Sequence, residues 1–458
     1  MASAARSEEA GLIVVGASVA GLVAAITAAD HGRRVVVIER SKDLGGLAAT
    51  SSEGIAAAGT RFQRVADVRD TPEHLLADID RTTPDHGEPE LANALVAQGA
   101  SLVEWLADRC GVQVALQSTT APGGHSAPRL HAMGEQGGAT LMSTLARTAA
   151  HHTHIRIRAA TDVQRLVPSD DGAVTGVALR PDRRGSTMVT GLVVLACGGF
   201  VANDELMAQH CPDVKELPYL GPAGANGDAL NLAAPLGATV RHGAACAVTP
   251  LLAQPSHLGV TRAVIEHGGI VVNQRGVRFV DESQPSLPLA LAVRAQPGRV
   301  AYLVFDERIA TAVGAYDPFF ARVVLPRTSR RASSVGMLSK QLELPESSLS
   351  STLEVYNVQG GADPFGRPAP ANPLTEPYYG IRVTGARRAT RGGLAVDAQA
   401  RVLDAGGNAI VGLYAVGGAA TGLAGDGIDR ELIGVDALAA LGLARLAALS
   451  LPTVADEG

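Results

Sequence analysis

The stretch Val14-Val15-Gly16-Ala17-Ser18-Val19-Ala20-Gly21 decides the fold. It closes a continuous apolar run, residues 12–15 (LIVV), as expected of a parallel strand buried on both faces. Leu22, Ala25, Ile26 and Ala29 then recur at helical spacing before Gly32, and residues 35–38 (VVVI) make a second buried strand ending at Glu39. The unit is βαβ, with the glycines at its first strand-to-helix turn. A pyrophosphate needs backbone N–H groups at a helix N-terminus, where the dipole favours negative charge. Gly16 allows the tight turn, and Gly21 lets helix and strand pack closely. The middle glycine of G-x-G-x-x-G is Ser18 here, which adds a small Cβ and a hydroxyl able to donate to phosphate. Glu39 stands about 20 residues past the glycines, where a carboxylate accepts from ribose hydroxyls. An acid at this point argues against the 2′-phosphate of NADP. The unit by itself does not separate NAD from FAD.

The chain of 458 residues is long enough for about two or three packed units. Hydrophobic residues at 46% and charged residues at 18% suit a globular enzyme and exclude a disordered chain. A net charge of −6 gives no basic footprint for nucleic acid, so the expected partner is a small molecule. No apolar run approaches the roughly 18 residues of a membrane span, and the N-terminal "MASAARSEEAGLIVV" has acidic residues where a secretory signal needs an apolar core. The expected location is cytoplasmic, with no membrane partner. Cys110, Cys197, Cys211 and Cys246 lack C-x-x-C spacing, so neither disulfides nor a zinc site are expected. His151, His152 and His154 read as a solvated helix end and not as metal ligands.

Further along, residues 66–116 are largely helical by pattern, and "GGATLMSTLARTAAH" is another helix. "IRIRA", "DVQRLVP" and "AVTGVALR" read as short strands, and "GLVVLACGGF" as a buried strand running into paired glycines. Between about 246 and 354 short strands and loops rich in Pro, Ser and Arg suggest a separate cap. Strand-like, glycine-rich character returns in "YYGIRV", "GGLAVD" and "GLYAVGG", and an apolar helix from about 433 to 449 closes the chain. The expected fold is α/β: residues 1–245 and 355–458 build one Rossmann-like domain, and 246–354 form an inserted α+β cap.

"ERSKDLGGLAATSSEG", "VVLACGGF", "GANGDALNLAAPLGA", "GGIVVNQRGVRFVDE" and "IVGLYAVGGAATG", in this order over nearly the whole chain, resemble the FAD-binding family of fumarate reductase flavoprotein subunits and 3-ketosteroid dehydrogenases. The resemblance implies a Rossmann-like FAD domain, an inserted cap and a flavin at their interface. It also implies site residues. Gly16, Ser18, Val19, Ala20 and Gly21 would hold the pyrophosphate, and Glu39 with Arg40 the adenosine ribose side. Gly45, Gly46, Ser52 and Gly54 match the segment that passes the flavin, and Val163 falls where backbone meets adenine. Cys197, Gly198 and Gly199 match the second nucleotide-side strand end, where the cysteine reads as a packing residue. Asp228 in "NGDAL" takes the cofactor-side aspartate position, with a helix N-cap as the alternative. His131, in the slot of "HRP", is expected to line the cofactor pocket. Gly417 and Gly418 fall in the loop after "GLYAV", and Ala437 and Leu438 at flavin-contacting positions of the closing helix, whose positive end would face the flavin pyrimidine. Two departures stand out: Gly418 replaces the Glu or Asn aimed at the ribityl chain, and Glu53 replaces the glycine before Gly54. No histidine sits in a pattern for covalent attachment, so FAD is expected to be non-covalent.

On the substrate side the resemblance argues against a dicarboxylate. The "HPT" histidine aligns with Gln254, the "NRLGGN" arginine with Leu432 and the histidine before "TMGG" with Arg388, and no arginine after "RFVDE" matches the proton donor. "LIGVDALAALGLARLAA" and "PYYGIRV" instead look like the ketosteroid-dehydrogenase branch, where a phenol polarises the ketone while a base takes the α-proton. Tyr378 or Tyr379 is the candidate phenol, and Arg388 and Arg391 are candidates to bind an enolate or carboxylate. The tyrosine of "ESAPY" is Ser286 here, so the base is missing or differs. The expected function is FAD-dependent oxidation or reduction of a C–C or C=C bond beside a carbonyl on a bulky substrate, with a separate electron acceptor as a further partner. The alternatives are a flavin monooxygenase, or a flavoprotein that uses FAD structurally or without net redox change.

Overall fold

The computed structural model describes residues 6–452 apart from 47–53, 85–86, 118–120, 122, 135–136, 182–186, 222, 359–362, 368–371 and 427–431. By its internal contacts the chain forms two compact units. The first comprises Met1–Pro212, Pro222–Cys246 and Ala389–Gly458, and the second Asp213–Gly221 and Ala247–Arg388.

The first unit is built on the predicted βαβ. The opening strand (Arg6–Val15) pairs in parallel with the second strand (Val35–Ile38) on one side and with the mid-chain strand (Thr187–Leu195) on the other. Parallel pairing continues outward to Ile155–Arg158 and to the late strand Ala409–Ala415. Parallel strands are covered on both faces, and that is why these runs are uniformly apolar: Leu12, Ile13, Val14, Val37, Val193, Val194 and Leu413 are fully buried. The opening helix (Val19–Asp30) is buried over Val19–Ala29, because it lies among the sheet, the helix Gly138–Ala150 and the closing helix (Val435–Leu449). The short strands expected at "DVQRLVP" and "AVTGVALR" are Val163–Pro168 and Val174–Leu179, an antiparallel pair attached to the mid-chain strand.

The second unit has a five-stranded sheet around Ala301–Asp306 and the long strand Tyr378–Thr390, which pair antiparallel from Ala301↔Val383 to Asp306↔Tyr378. Its core gathers Leu303, Val304, Phe305, Phe320, Leu349, Tyr356 and Ile381. It holds more helix than the expected strands and loops: Glu307–Tyr316, Val335–Leu342 and Glu346–Val358 are helical. Asp306 and Ser334 cap the first two by accepting from Ile309 N and Met337 N. The chain returns to the first unit at Ala389, later than the expected 355, because the strand Tyr378–Thr390 pairs through residues 378–383 with Ala301–Asp306 and Arg330–Ala332. The segment Asp213–Gly221 joins the same unit through a parallel bridge between Tyr219 and Arg387. Among the described residues no helix is long and apolar enough to cross a membrane.

Candidate functional site

In the first unit, the turns that leave three neighbouring parallel strands converge. Gly16 adopts φ +107°, and a Cβ on it would lie 2.6 Å from the Ala196 carbonyl oxygen. A Cβ on Gly21 would come within 2.1 Å of the Gly16 carbonyl oxygen. Gly417, with φ +61°, approaches Ala20, and Gly418 approaches the Gly199 amide; added Cβ atoms would sit 2.9 Å from each. The loops after the opening, mid-chain and late strands therefore touch backbone to backbone, a packing that only glycine permits. Gly21→Ala is expected to cost about 3 kcal/mol of stability through this overlap, read as a lower urea midpoint.

Ser18 is the N-cap of the opening helix. Its hydroxyl accepts from Gly21 N at 3.2 Å and donates to Ala196 O at 2.8 Å. The hydroxyl proton is thus engaged by the scaffold, which corrects the expectation that it is available to phosphate. Ser18 fixes the turn, and the first-turn backbone is left to meet an anion.

Glu39 reaches back from the end of the second strand. One carboxylate oxygen accepts from Ala17 N and the other from Ser41 N, each at 2.8 Å. A carboxylate oxygen has two lone pairs, so each oxygen retains one for a ribose hydroxyl. Arg40 pairs with Asp228 at 2.9 Å. Asp228 is the first residue of the helix Asp228–Ala233, whose N-cap is Gly227 at φ +80°, so the N-cap alternative for Asp228 does not hold. Burial pushes its carboxyl upward against the pull of Arg40.

The surroundings of the cradle fit a dinucleotide. Among the described residues, a Cβ on Gly45 would meet no atom within 4 Å, and one on Gly198, at φ +82°, would meet only Ala225 Cα at 3.9 Å. Gly46 lies beside Ser18, its would-be Cβ 3.9 Å from the serine Cβ. Val163 begins its strand opposite Leu179. Burial pushes the Cys197 thiol up to about 12, which suits a packing residue. Ser52 lies outside the described residues. Gly54 is packed against the His131 carbonyl, with 2.7 Å to an added Cβ. His131 is fully buried; its Nδ1 donates to Arg129 O at 2.9 Å and its Nε2 accepts from Thr60 Oγ1 at 2.8 Å. Ala437 is half-buried in the first turn of the closing helix, whereas Leu438 is fully buried, near Gly99 and Gly442. Any contact of Leu438 with a cofactor would therefore come from its backbone.

The candidate catalytic residues separate. Tyr378 lies in the core of the second unit, and burial pushes its phenol up. The Tyr379 ring stacks on Phe305 with centroids 5.3 Å apart. Its hydroxyl donates to Glu307 at 3.0 Å and accepts from Arg331 Nε at 3.1 Å. Both phenols thus have structural settings. Arg391 is buried, and its Nε donates to Asp436 in the first turn of the closing helix at 2.6 Å. Arg388 is half-buried, its Nη1 3.4 Å from where a Cβ on Gly259 would be. Sequence reasoning passed over Arg262, which donates to Gln284 O at 2.9 Å and lies 3.4 Å from Ser286 Oγ.

It also passed over a buried ion cluster. Arg129 donates to Asp70 through Nε and Nη2, both at 2.9 Å, and to Asp78 through Nη1 at 2.6 Å. All three side chains are buried, and nothing local in the sequence joins residues so far apart.

The family model described as "FAD binding domain" matches residues 11–427. The NADH:fumarate oxidoreductase of Klebsiella pneumoniae is 32% identical over 422 residues, covering 90% of this chain, which spans only 45% of that relative's length. Among solved structures, the open conformation of a flavocytochrome c3 fumarate reductase aligns at TM-score 0.83 with 28% identity, over 97% of this chain and 78% of that one. The 3-ketosteroid-Δ4-(5α)-dehydrogenase of Rhodococcus jostii, in complex with 4-androstene-3,17-dione, aligns at TM-score 0.67 with 26% identity, over 98% and 99%.

Proposed function

The chain belongs to the FAD binding domain family, and from that premise we propose that it is a flavin-dependent oxidoreductase that adds or removes hydrogen across a C–C bond beside a carbonyl, on a bulky substrate other than a dicarboxylate. The observation that carries the reading is the cradle: Glu39 ties Ala17 N and Ser41 N together beneath three converging turns. Gly16 to Gly21 would meet the pyrophosphate, Glu39 the ribose, and the Gly45–Gly46 segment the passing dinucleotide, without a covalent bond. The chemistry FAD supplies when bound is two-electron hydride exchange with carbon.

Leu432 stands where the resemblance puts a carboxylate-binding arginine, and it is buried beside Ile79, Leu423, Ala424 and Val435. Thr83 and Asp436 complete this lining, so a substrate carboxylate here would meet apolar side chains and a like charge with no cation among these residues to replace its hydration, which favours a neutral ring or chain. In the second unit, Arg278 and Arg367 are neutralised by Glu282 and Asp363, while Arg262 meets neutral oxygens. Arg262 and Arg388 are the cations assigned to the oxyanion that develops when an α-proton leaves.

Photoreduction, followed by mixing anaerobically with organic acceptors and separately with oxygen, tests this reading. Fast reoxidation by a cyclic enone such as 4-androstene-3,17-dione, and slow reoxidation by fumarate, is the expected result. Preferential reoxidation by fumarate contradicts the substrate class, a peroxyflavin signal with oxygen supports the monooxygenase alternative, and inertness to all acceptors supports the structural one. Arg388→Ala is expected to lower kcat/KM for the enone about a hundredfold while leaving the FAD content of the purified protein unchanged.

A further inference from the structure

His125 lies in a segment that is clamped on one side and reaches the start of the closing helix on the other. Ser126, its neighbour, donates to Asp78 from both its amide, at 2.7 Å, and its hydroxyl, at 2.8 Å. Asp78 is in turn held by Arg129. Gly124, on the other side, is packed so closely to Leu432 that a Cβ would lie 2.9 Å from its Cδ1. His125 is 8% exposed, and its Nε2 is 2.9 Å from the carbonyl oxygen of Ile433. A carbonyl only accepts, so Nε2 carries the proton and Nδ1 is a bare lone pair. That Nδ1 is buried and has no hydrogen-bond partner among the described residues. Burial pushes the ring pKa down to about 4, so the neutral tautomer persists at neutral pH.

The peptide that His125 holds is the entry to the closing helix. The next carbonyl, Gly434 O, accepts from Ala56 N at 3.1 Å. Gly434, at φ +83°, has no room for a side chain between Gly54 and Ala56. As N-cap it also contributes no side-chain acceptor to the first-turn amides. Two consecutive carbonyls are thereby turned towards protein donors, and the amides of the first helical turn are not capped by a side chain. A trans peptide points its N–H opposite to its C=O, so fixing the Ile433 carbonyl also fixes the direction of the Gly434 amide. An apolar side chain of similar shape would fill this space without leaving a bare nitrogen, so packing alone gives no reason for a histidine here.

We propose that His125 is a positioning residue for the flavin: by donating from Nε2 to Ile433 O it sets the orientation of the Ile433–Gly434 peptide and of the helix N-terminus behind it, and so the affinity and electronic environment of bound FAD. This rests on the FAD reading given above. The test compares the wild-type protein with His125→Phe, His125→Gln and His125→Asn, measuring FAD dissociation by fluorescence quenching, the visible spectrum and the flavin midpoint potential. His125→Phe keeps the ring shape without the donor and is expected to weaken FAD binding at least tenfold and to shift the visible bands and the potential. His125→Gln places an amide donor near the Nε2 position and is expected to bind FAD within threefold of wild type. Asparagine is too short to reach Ile433 O and is expected to behave like phenylalanine; should His125→Phe fail to fold by circular dichroism, the Gln and Asn variants make the comparison. Unchanged affinity, spectrum and potential in His125→Phe or His125→Asn, even with a lowered melting temperature, overturns the proposal. A wild-type protein that takes up no FAD overturns the cofactor reading and this inference with it.

Discussion

Replacing Glu39 by alanine is expected to weaken FAD binding by about a hundredfold or more. Each carboxylate oxygen accepts a backbone N–H at 2.8 Å, from Ala17 inside the glycine turn and from Ser41 after the second strand. Hydrogen bonds to a charged group contribute about 1.5–3 kcal/mol each. Losing two of them frees the turn proposed to meet the pyrophosphate and removes the proposed acceptor for the ribose. At about 1.4 kcal/mol per tenfold, a hundredfold loss is about 2.8 kcal/mol, which the lost ribose hydrogen bond to a charged acceptor and the cost of re-ordering the freed turn on binding would together supply. Glu39→Gln should lie between wild type and alanine, because its amide can accept one of the two N–H groups but turns a donor towards the other. Isothermal titration of the apoprotein with FAD measures both. Equal affinity in Glu39→Ala and wild type would show that the carboxylate has no part in the cradle.

The second large effect concerns folding. Arg129→Met is expected to destabilise the protein by about 3–5 kcal/mol, because it leaves Asp70 and Asp78 buried without their shared cation. Gln63 would still donate to Asp70 and Arg81 would still pair with Asp78 at 2.7 Å, which keeps the variant measurable by urea unfolding. The pH dependence gives an independent check. Hydrogen bonds from Ser126 and Arg81 and the charge of Arg129 hold the Asp78 carboxyl down to about 2, despite the opposing effect of burial. Its folded pKa is below the unfolded value of about 3.9, so its contribution is full above about pH 4 and is lost as the pH falls towards 2. In Arg129→Met the buried carboxyl loses part of that hold, and stability should be less sensitive to acid across the same range. Parallel acid unfolding curves for the two proteins would contradict the assignment of the cluster to Arg129.

The parts of this molecule that were legible in the sequence are those set by short-range pattern. Apolar runs of four residues, a glycine at a positive φ and a carboxylate at the next strand end mark the βαβ unit, because both strand burial and turn geometry act within about 25 residues. The closing helix was legible for the same reason and begins at Val435, close to the expected 433. Partnerships across long separations were not. The Ser18 hydroxyl is engaged by Ala196, and the Tyr379 hydroxyl by Glu307 and Arg331, each far away in the chain. The extent of the second unit was misread because the strand Tyr378–Thr390 finds its partners in Ala301–Asp306, so that its N-terminal part belongs to that sheet. His125 was missed altogether: a lone histidine after paired glycines carries no pattern, and its meaning depends on a carbonyl 308 residues later.

The central claim, a glycine cradle that holds FAD without a covalent bond, is tested most directly by the visible absorption spectrum of the purified protein before and after heat denaturation. Yellow flavin bands near one FAD per chain are expected, with all of the FAD released into the supernatant. A colourless protein that gains no bands on incubation with FAD, or bands that stay with the denatured chain, would contradict it.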